Sequence, residues 1–402
     1  MKIAFREIEG KSQGYWGLLA VLAVLAALGV GSALYMEHHG HIVTGMDNQI
    51  VWGLPHVFAV FLIVAASGAL NVASIATVFG KTLYKPLNRL SGLLAIALLA
   101  GGLMVLVLDL GRADRLIVAM TYYNFKSIFA WNVILYNGFF AIVIAYLWTM
   151  MDQKGQAWYK AVGTFAFVWR LILTTGTGSI FGFLVAREAY DAALLAPTFI
   201  VFSFNYGLAV FLLVLMGFYA GTGRALGDKM VNRMKNLLGV FIAASLYFVF
   251  VYHITNLYFT KHHGLEAFIL MNGGIHTLLF WVGQIILGYL LPMAILFSPN
   301  LGNNRGWIAL ASLLAILGGL AQMYVTIIGG QAYPIEMFPG YEVSSSFYDG
   351  VVHAYSPSGL ELMLGLGGVA VALILVAFAV KVLRFLPERL DDEIVSALHG
   401  AK

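Results

Sequence analysis

The chain has 402 residues, of which 61% are hydrophobic and only 10% charged, with a mean hydropathy of +0.86, a formal net charge of +4 and no cysteine. A soluble domain carries roughly 25% charged residues, so a water-facing globule is excluded. The lack of cysteine excludes disulfides, thiolate-held iron–sulfur clusters and Cys-ligated zinc. What remains is an all-α integral membrane protein. With no charge run, its expected surroundings are the lipid bilayer and not nucleic acid.

A bilayer crossing takes about 20 predominantly apolar residues. The first such run, Tyr15 to Met36, is long enough to span and leads into further spans, so it is not read as a cleavable signal peptide. About ten spans are expected, near 15–36, 54–79, 88–109, 127–150, 160–185, 196–220, 236–259, 272–297, 306–329 and 358–385. Short polar connections such as Gly80-Lys81-Thr82 and Ser298-Pro299-Asn300 separate them. No long linker interrupts the sequence, so 1–402 reads as a single polytopic membrane domain.

Of the 23 Lys and Arg, 17 flank spans on the side of the N-terminus and 5 lie opposite, with Arg170 inside span 5. Cationic flanks are retained in the cytoplasm. Both termini are therefore expected on the cytoplasmic side of a bacterial inner membrane. The outer side then holds Glu37-His38-His39-Gly40-His41, the segment from Asp109 to Arg115 leading to Thr121-Tyr122-Tyr123-Asn124, and a long loop, 330–357. That loop carries Glu336, Glu342 and Asp349 but no Lys or Arg.

A weak internal repeat appears at a shift of 147 residues, which lays Leu90-Ser91-Gly92-Leu93 on Leu237-Leu238-Gly239-Val240 and Asp109-Leu110 on Asn256-Leu257. Spans 2–5 (about 52–185) and 6–9 (about 196–329) then form two four-helix bundles in parallel orientation. Spans 1 and 10 flank the pair.

Ionisable groups inside a membrane are costly and point to function. Arg170 sits about 15 Å from the inner surface at 1.5 Å per residue, followed by Thr174-Thr175-Gly176-Thr177-Gly178-Ser179. It either ties helices together or, with Thr174 and Thr177, lines a proton or water pathway. Asp109 ends span 3. It is either a proton acceptor whose pKa is raised by partial burial or an interfacial partner of Arg112. His56, His253 and His276 all lie toward the outer face. Two of them would suffice to ligate haem, but none is at mid-depth, so neither haem nor a metal is expected. His38, His39, His41, His262 and His263 read as solvated loop residues. On span 4, Asn132 and Tyr136 share a helical face at i,i+4. With Tyr123 and Asn124 they would suit a flat ring bearing carbonyl oxygens.

Span 3 ending in Asp109-Leu110-Gly111-Arg112, then Asn124-Phe125-Lys126-Ser127 and Trp131, resembles the NrfD/PsrC family of membrane subunits. Trp52-Gly53-Leu54-Pro55 at the start of span 2 resembles the family's N-terminal signature. The ten-span form, with Gln331-Ala332-Tyr333-Pro334-Ile335-Glu336, is similar to the DsrP-type members that serve sulfur-metabolising Dsr complexes, while Hmc, Qrc and tetrathionate-reductase subunits share the same features.

The resemblance implies a subunit with no redox centre of its own that binds menaquinone or ubiquinone near the outer face. Electrons would pass to or from a periplasmic ferredoxin-like iron–sulfur subunit, accompanied in Dsr complexes by a multihaem cytochrome c. His56 stands where the family places a quinone-contacting residue. Asp109 and Arg112 would hold the end of span 3, and Tyr123, Asn124 and Asn132 join them by side and depth. In this picture Asp109 and His56 carry the proton chemistry. The competing readings are a secondary transporter, a b-type cytochrome anchor, and a purely structural anchor.

Overall fold

The computed structural model describes residues 3–335, 338, 341 and 351–400. Glu336, Glu342 and Asp349 of the long loop lie outside them. Among the described residues, ten long helices occupy the expected spans. They are α1 (Gln13–His39), α2 (Leu54–Thr77), α3 (Asn88–Leu108), α4 (Ile128–Met151) and α5 (Tyr159–Gly182), then α6 (Leu195–Thr222), α7 (Asp228–Tyr258), α8 (Ile275–Phe297), α9 (Arg305–Ala332) and α10 (Gly359–Val382). Nine of these are long and apolar enough to cross a membrane; the exception is α5, whose arginine, threonines and glycines lower its hydropathy. This is a nearly all-helical, multi-pass integral membrane protein.

Two boundaries move. α7 begins at Asp228, well before 236, so its first turns carry Arg233 and Lys235 beyond the apolar stretch. α9 continues to Ala332 through a short π-helical stretch, Val325–Gly329, and the loop expected from 330 starts at Tyr333.

The helices close into two rings. α2 packs on α3, α3 on α4, α4 on α5, and α5 back on α2; α6, α7, α8 and α9 close in the same way. The rings meet mainly where α2 crosses α6. Close approach there requires Gly68 and Gly207: a methyl on Gly68 would run into the Ser203 carbonyl, and one on Gly207 into the Gly68 backbone. In the bilayer, packing of this kind replaces hydrophobic exclusion as the force between helices. α2 is consequently the most enclosed element, with nearly every side chain from Val57 to Ser74 buried.

α1 packs along α10, backbone to backbone at Gly29 and Gly367, and α10 packs on α3 and α2. Both ends of the protein meet on one face. β1 (Phe5–Arg6) pairs antiparallel with β2 (Leu386–Pro387), and Leu226 bridges Leu390 just beyond. Arg224 ties this clasp down by donating to the carbonyls of Arg6 and Glu7 at 3.0 and 2.6 Å. This is called the termini face below, and the opposite one the site face.

Candidate functional site: a histidine–aspartate pair beside an apolar cavity

The site lies at the end of the first ring on the site face. Pro55 in the first turn of α2 needs no amide hydrogen there, and the neighbouring amides are held from outside. Trp52 N–H donates to Gln331 Oε1 at 3.0 Å, and Leu54 N–H donates to the Tyr355 hydroxyl at 2.7 Å. Arg187 in turn donates to the carbonyls of Gln331 and Gln49, both at 2.9 Å. This frame fixes His56 in the first turn of α2.

Asp109 is the C-cap of α3, one residue past the apolar span, with its side chain fully buried. His56 Nδ1 lies 3.0 Å from Asp109 Oδ2, and His41 Nε2 lies 3.6 Å from Oδ1. Neither approach is a well-aligned hydrogen bond, so both carboxylate oxygens and both ring nitrogens keep capacity for another partner. His41 is brought in by the turn after α1, and it sits against Gly111. That glycine has φ +66, and a Cβ on it would come within 3.1 Å of the imidazole, so the position demands glycine twice over.

The electrostatics differ from the sequence expectation. Burial alone would raise the Asp109 carboxyl, but the two histidines beside it outweigh burial and hold it below the usual carboxylate range. The Asp109 carboxylate reciprocally raises His41 above its ordinary value, against the opposing effect of burial. The expected partner is also different. Arg112 turns away from Asp109 and pairs at 3.0 Å with Asp114, on the exposed surface. His41, expected to be solvated, takes its place.

His56 also lines a cavity of about 430 Å³ between α2, α3, α4 and α5. That size falls within the roughly 300–1,000 Å³ of small-molecule sites. Its walls are mainly apolar, with Asn132, Tyr136, Asn137 and Thr177 as polar points. Trp52 closes one end, its ring 6.2 Å from His56, 6.1 Å from Phe129 and 5.9 Å from Phe181. Asn132 donates to the carbonyls of Ile128 (2.9 Å) and Gly176 (3.1 Å), and its own Oδ1 has no partner among the described residues. Tyr123 and Asn124 are not brought to this cavity. Tyr123 stacks on Phe125 at 5.8 Å, and Asn124 Oδ1 accepts from the Lys126 amide at 3.1 Å in a surface turn.

From the cavity a polar ladder descends α5 at helical spacing. Thr177 lines the cavity, Thr174 meets Ser67 hydroxyl to hydroxyl at 2.6 Å, and Arg170 donates to Asn71 Oδ1 at 2.9 Å. Arg170 is wholly buried between the rings of Phe167 and Phe204, each 5.0 Å away, and Nε and Nη1 have no hydrogen-bond partner among the described residues. Toward the termini face, Thr77, Asn88, Tyr146 and Tyr159 form a further buried hydroxyl–amide cluster. Ser67, Asn71 and this cluster escape sequence reasoning; the available signal is polar residues at helical spacing inside an apolar run.

In the second ring, His253 Nδ1 lies 2.7 Å from Glu266 Oε2, and Asn256 donates to Oε1 of the same carboxylate at 2.8 Å. His276 is buried between the rings of Phe268 and Tyr324. Asn256, which the 147-residue shift lays on Asp109, attends a carboxylate instead of supplying one.

Known proteins extend this description. Over its whole length the chain is similar to the Hdr-like menaquinol oxidoreductase integral membrane subunit of Archaeoglobus fulgidus, at 30% identity covering 98% of this protein and 100% of that one. The C polypeptide of selenate reductase from Mesobacillus selenatarsenatis is 24% identical, with 90% of this protein and 92% of that one covered. The C polypeptide of polysulfide reductase from Wolinella succinogenes is 22% identical, with coverage of 71% and 96%. The family model described as "Polysulphide reductase, NrfD" matches residues 42–335, which is the two rings without α1 and α10. The chain belongs to the NrfD polysulphide reductase family, and is a membrane subunit of the oxidoreductase kind.

Proposed function

We propose that the chain exchanges electrons between the membrane quinone pool and a ferredoxin-like iron–sulfur subunit docked on the site face. The observation that carries this is His56, which touches both the cavity and the buried Asp109. A quinol is a flat, mostly apolar ring that releases two protons and two electrons. The cavity offers aromatic walls for the ring, Asn132 Oδ1 as an acceptor for one hydroxyl, and His56 for the other. His56 takes one proton and hands it toward Asp109, whose two oxygens retain hydrogen-bonding capacity, and the second leaves from the Asn132 side along Thr177. The electrons leave to the partner, and the reverse sequence reduces quinone. Thr177, Thr174 and Arg170, with Ser67 and Asn71, supply a proton route toward the termini face. Arg112, Tyr123 and Asn124 belong to the surface that meets the partner.

The excess of Lys and Arg on the termini face supports a cytoplasmic location for it and a periplasmic one for the site face. A relative named for menaquinol oxidation supports menaquinol over ubiquinol, and one named for polysulfide reduction supports a place in sulfur metabolism, as in the DsrP-type complexes with their multihaem cytochrome c. A secondary transporter finds no support among these relatives.

The test is photolabelling of the purified complex with an azido-naphthoquinone, followed by peptide mapping. Label should fall on α2, α3 or α4 near Trp52 and Asn132 and be displaced by unlabelled menaquinone. Label confined to α6–α9, or indifferent to the competitor, overturns the proposal.

A further inference from the structure

We propose that the termini face holds a binding site for one anionic phospholipid, separate from the quinone cavity. The observation is a cavity of about 770 Å³ between α1 and α6, floored by α10. α1 packs along α10, while α6 packs on α2, α5, α7 and α9, and the cavity lies between α1 and α6. Its length is apolar, lined by Leu18, Leu22, Val214, Phe218, Leu373 and Val376. On the α6 side Gly217 and Gly221 line it, and an added Cβ at either would meet nothing within 4 Å.

The groove ends under a charged roof made by the β1–β2 clasp and the start of α1, where Arg6, Lys11 and Arg224 stand beside Ser12. Two carboxylates share this roof: Glu388 pairs with Arg6 at 3.3 Å and Glu9 with Lys11 at 3.7 Å. Arg224 gives its two terminal nitrogens to backbone carbonyls and has no carboxylate in ion-pair contact among the described residues. Lys381, against Gly10, sets its ammonium 4.4 Å above the Trp16 ring. The charged residues lining the cavity are three cations, Arg6, Lys11 and Arg224, against two carboxylates, Glu9 and Glu388, at one end of an apolar trough.

An acyl tail fits the trough, and a phosphodiester with net negative charge fits the roof. A zwitterionic headgroup meets the same trough without the charge match. A transmembrane helix of another subunit would fill the trough and leave the cations uncompensated. Lys and Arg at a membrane surface draw anionic lipid. Here the shape of the groove converts that attraction into a fixed position.

The experiment is native mass spectrometry of the full-length protein released from nanodiscs containing equal phosphatidylglycerol and phosphatidylcholine with the same acyl tails. One phospholipid should stay bound, with phosphatidylglycerol favoured on the order of tenfold. Replacing both groove glycines, Gly217→Leu with Gly221→Leu, fills the trough and favours the helix, and should abolish retention of either lipid. Arg224→Gln, which can still reach the clasp carbonyls, should keep a lipid but reduce the preference several-fold. Unchanged quinone photolabelling in each variant confirms that the fold is intact. Equal retention of both lipids, or retention indifferent to the leucine pair, overturns the proposal. So does a loss that occurs only together with loss of photolabelling.

Discussion

Replacing Asp109 by Asn keeps the volume and removes the charge that His56 approaches at 3.0 Å and His41 at 3.6 Å. At an effective dielectric of about 20, a charged pair at the His41 distance attracts with roughly 5 kcal/mol before desolvation is subtracted. Stripping a buried pair of one partner costs about 3–5 kcal/mol when the survivor stays charged. His41 owes its raised value chiefly to that carboxylate and can become neutral once it is gone, so the net loss of stability should fall below that range. Quinol-dependent electron transfer should fall much further, by roughly 10²–10⁴-fold, the usual cost of losing a general acid–base group.

The pH dependence gives an independent reading. His41 is raised above its ordinary 6.5, so its pairing stabilises fully below that value and is lost as pH rises through its folded value. Asp109 is lowered, so its share is present above its ordinary 3.8 and is lost as pH falls through its folded value. Wild-type melting temperature should therefore decline from about pH 6 into the alkaline range more steeply than that of Asp109→Asn. Yield, melting curves and quinol oxidation measured together on the variant test the argument. A well-assembled Asp109→Asn protein with normal turnover and an unchanged pH slope would refute it.

Other outcomes follow from the same geometry. Arg112→Ala removes only an exposed pair with Asp114, so the melting curve should stay where it is and quinone photolabelling of the cavity should persist. Asn132→Leu deletes the cavity acceptor and leaves the Gly176 carbonyl short of a donor; quinone affinity measured by photolabel competition should drop about tenfold, with stability reduced by about 1–3 kcal/mol. Gly68→Leu should prevent a stable fold altogether, since even a methyl strikes the Ser203 carbonyl, and detergent extraction should yield only aggregate. Reporters fused within 80–88 should read as cytoplasmic and those within 37–50 as periplasmic, and a reversed pattern would overturn the assigned orientation.

The positions of the helices are legible because each is a long apolar run bounded by Gly, Pro or charge, and a bilayer permits little else. The pairing at the site is only half legible. Asp109 and His56 announce themselves as a carboxylate and an imidazole at the ends of two spans. Arg112 looks like the natural partner because it is three residues away. The left-handed turn at Gly111 swings Arg112 outward, and a histidine 68 positions earlier closes on the carboxylate instead. No local pattern encodes that contact; it depends on where α1 ends relative to α3. Tyr123 and Asn124 are candidates by side and depth alone, and the connection between α3 and α4 carries them away from the cavity. Ser67 and Asn71 are hidden differently, as small polar residues inside an apolar helix whose faces cannot be assigned before the ring is known.

The pairing of α1 with α10 has a consequence for how the protein is made. α1 leaves the ribosome before its principal neighbour, α10, has been made, so it must wait in lipid while the eight helices between them are inserted. Its exposed Leu18, Val21, Val24 and Leu34 suit that wait, since they are as comfortable among acyl tails as against protein. The waiting helix cannot close onto the rings until α10 has seated its glycine stripe against Gly29 and the strands Phe5–Arg6 and Leu386–Pro387 have joined. Docking of α1 is thus signalled by the β1–β2 clasp forming, and polypeptides cut short before α10 would carry a loose α1 open to membrane quality control.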